Sequence, residues 1–479
     1  MHIKRILSLI LVLIITCSFS GCDDSAEKRI YFELTEKPQT LDPQTAQSDA
    51  ELLIVRNLFE GLTRVDKNGK VALGVAEKYD KNGNEYTFYL RKNAKWDSGE
   101  ELTAHDFVFG FQRAVDPKTE SPFAERLMCI DGVPEIRSGR ADIASLGVTA
   151  VNKRTLKITL REENPEFLKI LSTAPCMPCN KEFFEGCVGK YGLEQGCVLA
   201  NGSYYLAKWN QNEFGIRIYK NAQYFGDFTA KNGGVFLSKN KEKSALSELV
   251  DQRVDAAFLN SADVESAKKN GYKIQSLQNI CWVLTISGEY SSQMRSAFAM
   301  SIDRNALITS DMYGTAKASS VFPEILPSSS YSLFGIKEYN EAAAKTAFSA
   351  AVKGMPDKKF PKTTLYYYDD AVIKEVANDM IGHWQQVLSA FINMEASANL
   401  DALQNELSEQ TLQMALFPVT AKSDSLSEYT NQFPNNASAD TIIPLLFQST
   451  SIAYGKTLSG LKLDKNNGYI DFSFVVKSE

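Results

Sequence analysis

The chain has 479 residues, 44% hydrophobic and 23% charged, a balance that suits a globular protein with a sizeable core and excludes a disordered or collagenous one. Its 52 Lys and Arg against 58 Asp and Glu leave a formal charge of −6 with no strongly basic block, which argues against a nucleic-acid partner. Three histidines, His2, His105 and His383, supply histidine-rich metal binding poorly.

Lys4 and Arg5 precede an apolar stretch, Ile6 to Ile15, interrupted at Ser8. At about ten residues it has the length of a secretory leader's core and falls short of the about 20 that a membrane-spanning helix needs. Phe19-Ser20-Gly21-Cys22 follows and resembles the bacterial lipobox. That resemblance implies cleavage before Cys22, lipidation of Cys22 and a membrane anchor made of more than one acyl chain. Residues 1–21 are then a lipoprotein signal peptide and 22–28 a polar tether on the extracytoplasmic face, in the periplasm or at the cell surface. Losing Lys4 and Arg5 with the leader takes the net charge to −8.

Beyond the tether, strand-like and helix-like patches alternate. Ile30, Phe32 and Leu34 alternate in a predicted strand over 29–35, and Leu52, Leu53, Val55, Leu58 and Phe59 share one face of a predicted helix over 49–62 with Gly61 as its C-cap. EYTFYL at 85–90 alternates, and the Asp97-Ser98-Gly99 turn leads to Thr103-Ala-His-Asp106, a capping-box variant opening a helix through Val115. His105 falls in that helix's first turn, where a solvated position is expected. Strands are predicted over 155–160, 204–209, 215–219, 284–286 and 364–368. Helices are predicted over 244–250, 262–269, 291–307, 339–352 and 373–388. The mixture means an α/β architecture.

Eight cysteines occur. Cys17 leaves with the leader, Cys22 is the lipid site, and Cys129, Cys176, Cys179, Cys187 and Cys197 crowd into one third of the chain. Export favours disulfides. The spacing Cys176-x2-Cys179-x7-Cys187-x9-Cys197 is not a common zinc pattern, so disulfides, free buried thiols and a metal all stay open. No nucleophile elbow, H-E-x-x-H or G-x-G-x-x-G is present, and no nucleophile and base can be paired. Tyr366-Tyr367-Tyr368-Asp369-Asp370 reads as a strand running into a turn. No cofactor, catalytic residue or metal site is assigned, and a binding protein is the leading class.

Five segments then carry a family resemblance: TLDPQ at 40–44, LFEGL at 58–62, YTFYLRKNAKWDSGEELTAHDFVFGFQR at 86–113, NGSYYLAKW at 201–209 and MRSAFAMSIDR at 294–304. In this order they resemble the family 5 extracellular solute-binding proteins, the oligopeptide- and dipeptide-binding components of ABC importers. The resemblance implies a two-lobe periplasmic-binding-protein-like fold (type II, cluster C) that closes on its ligand. Lobe 1 would comprise 29–55, 165–280 and 456–479, with 56–164 as an inserted subdomain, and lobe 2 would comprise 281–455. It implies a peptide or other small solute as ligand, ABC permease subunits as partners and a monomeric state. Gln47, Ser48, Asp49, Ala415, Leu416, Phe417, Val419 and Asp424 are the ligand-binding candidates it carries over. Two departures stand out: Pro418 lacks an N–H on the late strand, and Lys422, which repels an ammonium and welcomes an anion, falls about where relatives place an acid for the peptide ammonium; Asp424 substitutes if the loop is two residues longer, and an N-terminally blocked peptide stays open as ligand. A ligand sensor outside transport and a cell-surface hydrolase are the alternative functions.

Overall fold

The computed structural model describes residues 28–210, 215–240, 242–308, 316–318, 322–323, 326, 337–409, 411–421, 429–433, 441–464 and 469–478. The leader, Cys22, Lys422 and Asp424 lie outside the described residues. The chain forms two compact units: one runs to Ala256 and regains Lys456–Leu461 and the residues from Asp471, and the other holds Ala257–Gly455 with Lys462–Ile470.

The first unit contains β1 (Arg29–Glu33), α1 (Asp49–Leu58), β2 (Ala76–Asn82), β3 (Glu85–Leu90), α2 (Ala104–Val115), β4 (Val148–Asn152), β5 (Thr155–Thr159), β6 (Tyr204–Asn210), β7 (Gly215–Lys220) and β8 (Gly234–Ser238). β1 runs parallel to β8, and β8, β7 and β6 continue antiparallel. β2, β3, β5 and β4 form a separate antiparallel sheet within the 56–164 stretch. Alternation is visible as burial: in β3, Tyr86, Phe88 and Leu90 are buried while the residues between are partly exposed. Asp106 accepts from the Thr103 N–H at 2.7 Å, the half of the capping box that starts α2, and His105 is exposed in its first turn.

α1 ends three residues before Gly61, because Phe59 turns to φ −121°, ψ 155°. Gly61 instead meets the backbone at the end of the short helix Phe167–Ile170: a Cβ there would lie 2.4 Å from the Leu171 carbonyl oxygen.

The second unit is built on β9 (Lys273–Ile286), α3 (Ser292–Met300), α4 (Glu341–Lys353), β10 (Thr363–Tyr368), α5 (Ala371–Leu388), β11 (Ile392–Ser397), α6 (Leu400–Ser408), β12 (Met414–Thr420) and β13 (Ile442–Tyr454). Its strands lie in the order β11-β10-β12-β9-β13, parallel from β11 to β12 and antiparallel thereafter. The predicted strand at 284–286 is the buried end of the 14-residue β9, whose polar first half hides it from a hydrophobicity reading. The helix predicted over 291–307 stops at Met300. Ser301 turns its hydroxyl back to the Phe298 carbonyl, and the buried Arg304 donates to the carbonyls of Pro444 and Lys337 at 2.7 and 3.1 Å. Asp370 caps α5 by accepting from the Ile373 N–H, so the tyrosine and aspartate run is a strand and a helix start.

Candidate functional site

Gln47, Ser48 and Asp49 belong to a segment of the first unit whose backbone is held by two buried charges. Glu51, in the first turn of α1, accepts four backbone N–H bonds: Gln39 and Thr40 on Oε1 at 2.8 and 3.1 Å, Gln47 and Ser48 on Oε2 at 2.9 and 3.0 Å. Ser48 returns the contact by accepting from the Glu51 N–H, completing a capping box. Burial pushes the Glu51 carboxyl up, and the four N–H groups outweigh it and hold it below its ordinary value.

The second charge is Arg113 of α2. Its guanidinium grips Asp42 through two bonds, 3.0 Å to Oδ1 and 2.5 Å to Oδ2, and donates to Gln44 Oε1 at 2.6 Å. Burial opposes the guanidinium charge, but the Asp42 carboxylate prevails and raises its pKa. Gln44 donates onward to the Met177 carbonyl at 3.0 Å, and the Leu41 N–H reaches the Gly192 carbonyl at 2.7 Å. From this support Gln47 and Asp49 project exposed and Ser48 lies half-buried. All three therefore sit on a preorganised backbone, with the Gln47 and Asp49 side chains at the surface.

The other candidates lie on β12 in the second unit. Ala415, Phe417 and Val419 point into one core cluster and Leu416 into the cluster on the opposite face; all four side chains are fully buried. What β12 can offer a ligand is backbone. Its pairing with β10 ends at Leu416, while its pairing with β9 continues to Thr420. Thr420 donates its N–H to Gln432 Oε1 at 3.0 Å and its carbonyl accepts from Gln432 Nε2 at 2.9 Å. A residue whose N–H and C=O both turn away from β9 sits at a non-hydrogen-bonded pair, and by the period of two so does Pro418. At Pro418 this edge carries a carbonyl and no N–H, and at Thr420 it is already covered by the Gln432 amide.

The residues that sequence reasoning passes over are those that hold the candidates rather than the candidates themselves: Glu51, Asp42, Gln44, Arg113 and Gln432. Ser48 and Glu51 do carry capping-box spacing, a local signal. Arg113 and Asp42 are 71 positions apart and have none. Asp424 lies outside the described residues, so its neighbourhood is not part of this geometry.

Comparison with known proteins agrees with this architecture. Residues 70–440 match the family model of the bacterial extracellular solute-binding proteins, family 5 Middle. The Escherichia coli periplasmic murein peptide-binding protein MppA is 31% identical over 401 residues, covering 78% of this chain and 72% of its own. The periplasmic oligopeptide-binding protein OppA of the same organism is 43% identical over 178 residues, 36% of this chain and 33% of that one. The structure of Listeria monocytogenes OppA bound to peptide superposes with a TM-score of 0.76 at 19% identity, covering 94% of this chain and 99% of that one, and so shares the fold. The α/β type II binding-protein fold expected from the sequence is the one observed.

Proposed function

This chain belongs to the bacterial extracellular solute-binding proteins of family 5, and from that premise we propose that it captures peptides outside the cytoplasmic membrane and delivers them to an ABC permease. The peptide-binding names of both curated relatives support the ligand class. The observation that carries the reading furthest is the four-donor grip of Glu51, which sets out Gln47 and Asp49 on a backbone prepared before any ligand arrives. Peptide backbones repeat the same N–H and C=O in every sequence, so contacts of this kind bind without strong side-chain preference. The Pro418 carbonyl serves as an acceptor for a peptide N–H, and Ala415, Leu416, Phe417 and Val419 contribute a rigid strand rather than side-chain contacts. Asp424 is assigned the peptide ammonium. Capture proceeds by the lobe closure that family membership implies, a population shift toward the liganded form, and no covalent step is assigned. The lobe and subdomain boundaries given by the resemblance, a monomeric state and lipid attachment at Cys22 complete the proposal.

Titration calorimetry with free-amine and N-acetylated forms of the same peptides tests it. Asp424→Ala should weaken free-amine peptides by roughly tenfold, the loss of about 1.4 kcal/mol expected for a charge-assisted bond, and acetylated ones little. Equal losses remove Asp424 from the ammonium role. Cys22→Ser should release the protein from the membrane fraction or leave it uncleaved; unchanged fractionation and mass reject lipidation.

A further inference from the structure

We propose that Cys187 and Cys197 are the two halves of a disulfide that locks the loop buttressing residues 40–44 once the chain is exported. The proposal rests on the extracytoplasmic reading for its oxidant and on local geometry for its pairing. The short helix Lys181–Gly186 ends at Cys187, whose N–H donates to the Phe183 carbonyl at 3.1 Å. The chain then reverses through Val188 at φ +48° and Gly189 at φ +79°. A β-branched residue rarely adopts such a φ, so the surrounding contacts impose the turn.

Three contacts draw the loop's ends together. The Lys190 N–H bonds the Cys187 carbonyl at 3.0 Å, the Gly192 N–H bonds the Cys197 carbonyl at 2.8 Å, and Lys190 pairs with Glu194 at 2.9 Å. Cys197, partly buried, packs against the small apolar cluster formed by Cys179, Cys187 and Tyr191.

Of the three thiols in this cluster, Cys179 is the one held by Arg113. It is fully buried, and Arg113 Nη1 lies 3.7 Å from its sulfur. Cys197 is half-buried and within reach of an oxidant. The loop also bears on the candidate site. Gly192 accepts from Leu41, and a Cβ on Gly192 would lie 2.3 Å from the Asp42 nitrogen, so its backbone is the wall behind Leu41-Asp42.

The oxidant is a small-molecule or protein disulfide, and the step balances by thiol–disulfide exchange. The Cys197 thiolate attacks one sulfur of the oxidant, forming a mixed disulfide and expelling one thiolate. Cys187 then loses its proton and attacks the Cys197 sulfur, forming the Cys187–Cys197 bond and expelling the second thiolate. The chain loses two protons and two electrons, and the oxidant leaves as two thiols. Burial and then the Cys197 thiol push Cys187 up to about 12.

The test uses the full chain incubated with oxidised glutathione, blocked with iodoacetamide and digested without reductant. The expected product is a cross-linked peptide joining Cys187 to Cys197, about 2 Da lighter than its two reduced parts. Oxidised protein should melt roughly 5–10 °C above both its reduced form and Cys197→Ser, with the reductant abolishing the difference. Alkylation of both residues, or pairing of either with Cys179, overturns the proposal. If glutathione closes the bond but protein recovered from outside the cytoplasmic membrane carries both thiols reduced, the pairing stands and formation on export is overturned.

Discussion

Replacing Glu51 by glutamine changes one oxygen of the side chain to an amide nitrogen and nothing else in volume. Each carboxylate oxygen of Glu51 accepts two backbone N–H bonds, from Gln39 and Thr40 on one side and from Gln47 and Ser48 on the other. Glutamine keeps one acceptor, so its amide nitrogen must face two N–H donors and leave them unsatisfied. At about 1–3 kcal/mol for each orphaned donor, the loss is about 2–6 kcal/mol. Urea unfolding of wild type and Glu51→Gln at pH 7 reads that difference. The pH dependence supplies a second signature. The folded state holds Glu51 below its ordinary value of 4.5, so its contribution is complete above pH 4.5 and fades as the pH falls through the folded pKa. The gap between the two proteins should therefore narrow in acid. A difference under about 0.5 kcal/mol at pH 7, well below a single orphaned donor, would refute the assignment of four carboxylate bonds as the support of Gln47–Asp49.

Two further perturbations test the same unit. Arg113→Ala leaves the Asp42 carboxylate buried without its partner and should cost about 3–5 kcal/mol, whereas Arg113→Met with Asp42→Leu should cost less; chemical denaturation of the single and double variants reads both. Burial pushes the Asp97 carboxyl up to about 6 against an ordinary 3.8, so between those pH values the folded state binds more protons and stability falls as pH rises. Asp97→Asn, which keeps an acceptor for the Ala200 N–H at 3.2 Å, should remove that slope and add up to roughly 2 kcal/mol at pH 7; a slope that persists in the variant contradicts the assignment.

Local periodicity made much of the fold legible. Tyr86, Phe88 and Leu90 announce a one-faced strand, and Thr103 stands where a helix begins. β13 carries no such announcement. Its first half, Ile-Ile-Pro-Leu-Leu-Phe, is buried on both faces, so alternation vanishes, and Pro444 reads as a breaker. Pro444 is accommodated beside a register shift in the β9 ladder between Trp282 and Val283. The limits at the site are of the same kind. Gln47–Asp49 and the late strand came from family resemblance, because a polar triplet near the surface and a buried strand have no chemistry of their own. The Arg113–Asp42 grip depends on side chains brought together only by folding. The Gln432 amide over Thr420 joins residues on two different segments, and a glutamine in a loop carries no signal that a strand edge needs covering.

The central claim is that this protein grips peptides. Native mass spectrometry of protein purified without denaturation measures that directly, because a tight cavity retains its cargo through purification. A series of masses above the polypeptide, resolving on dissociation into peptides of varied sequence, is the predicted spectrum. Bare polypeptide that acquires no mass from a mixed peptide library would contradict it.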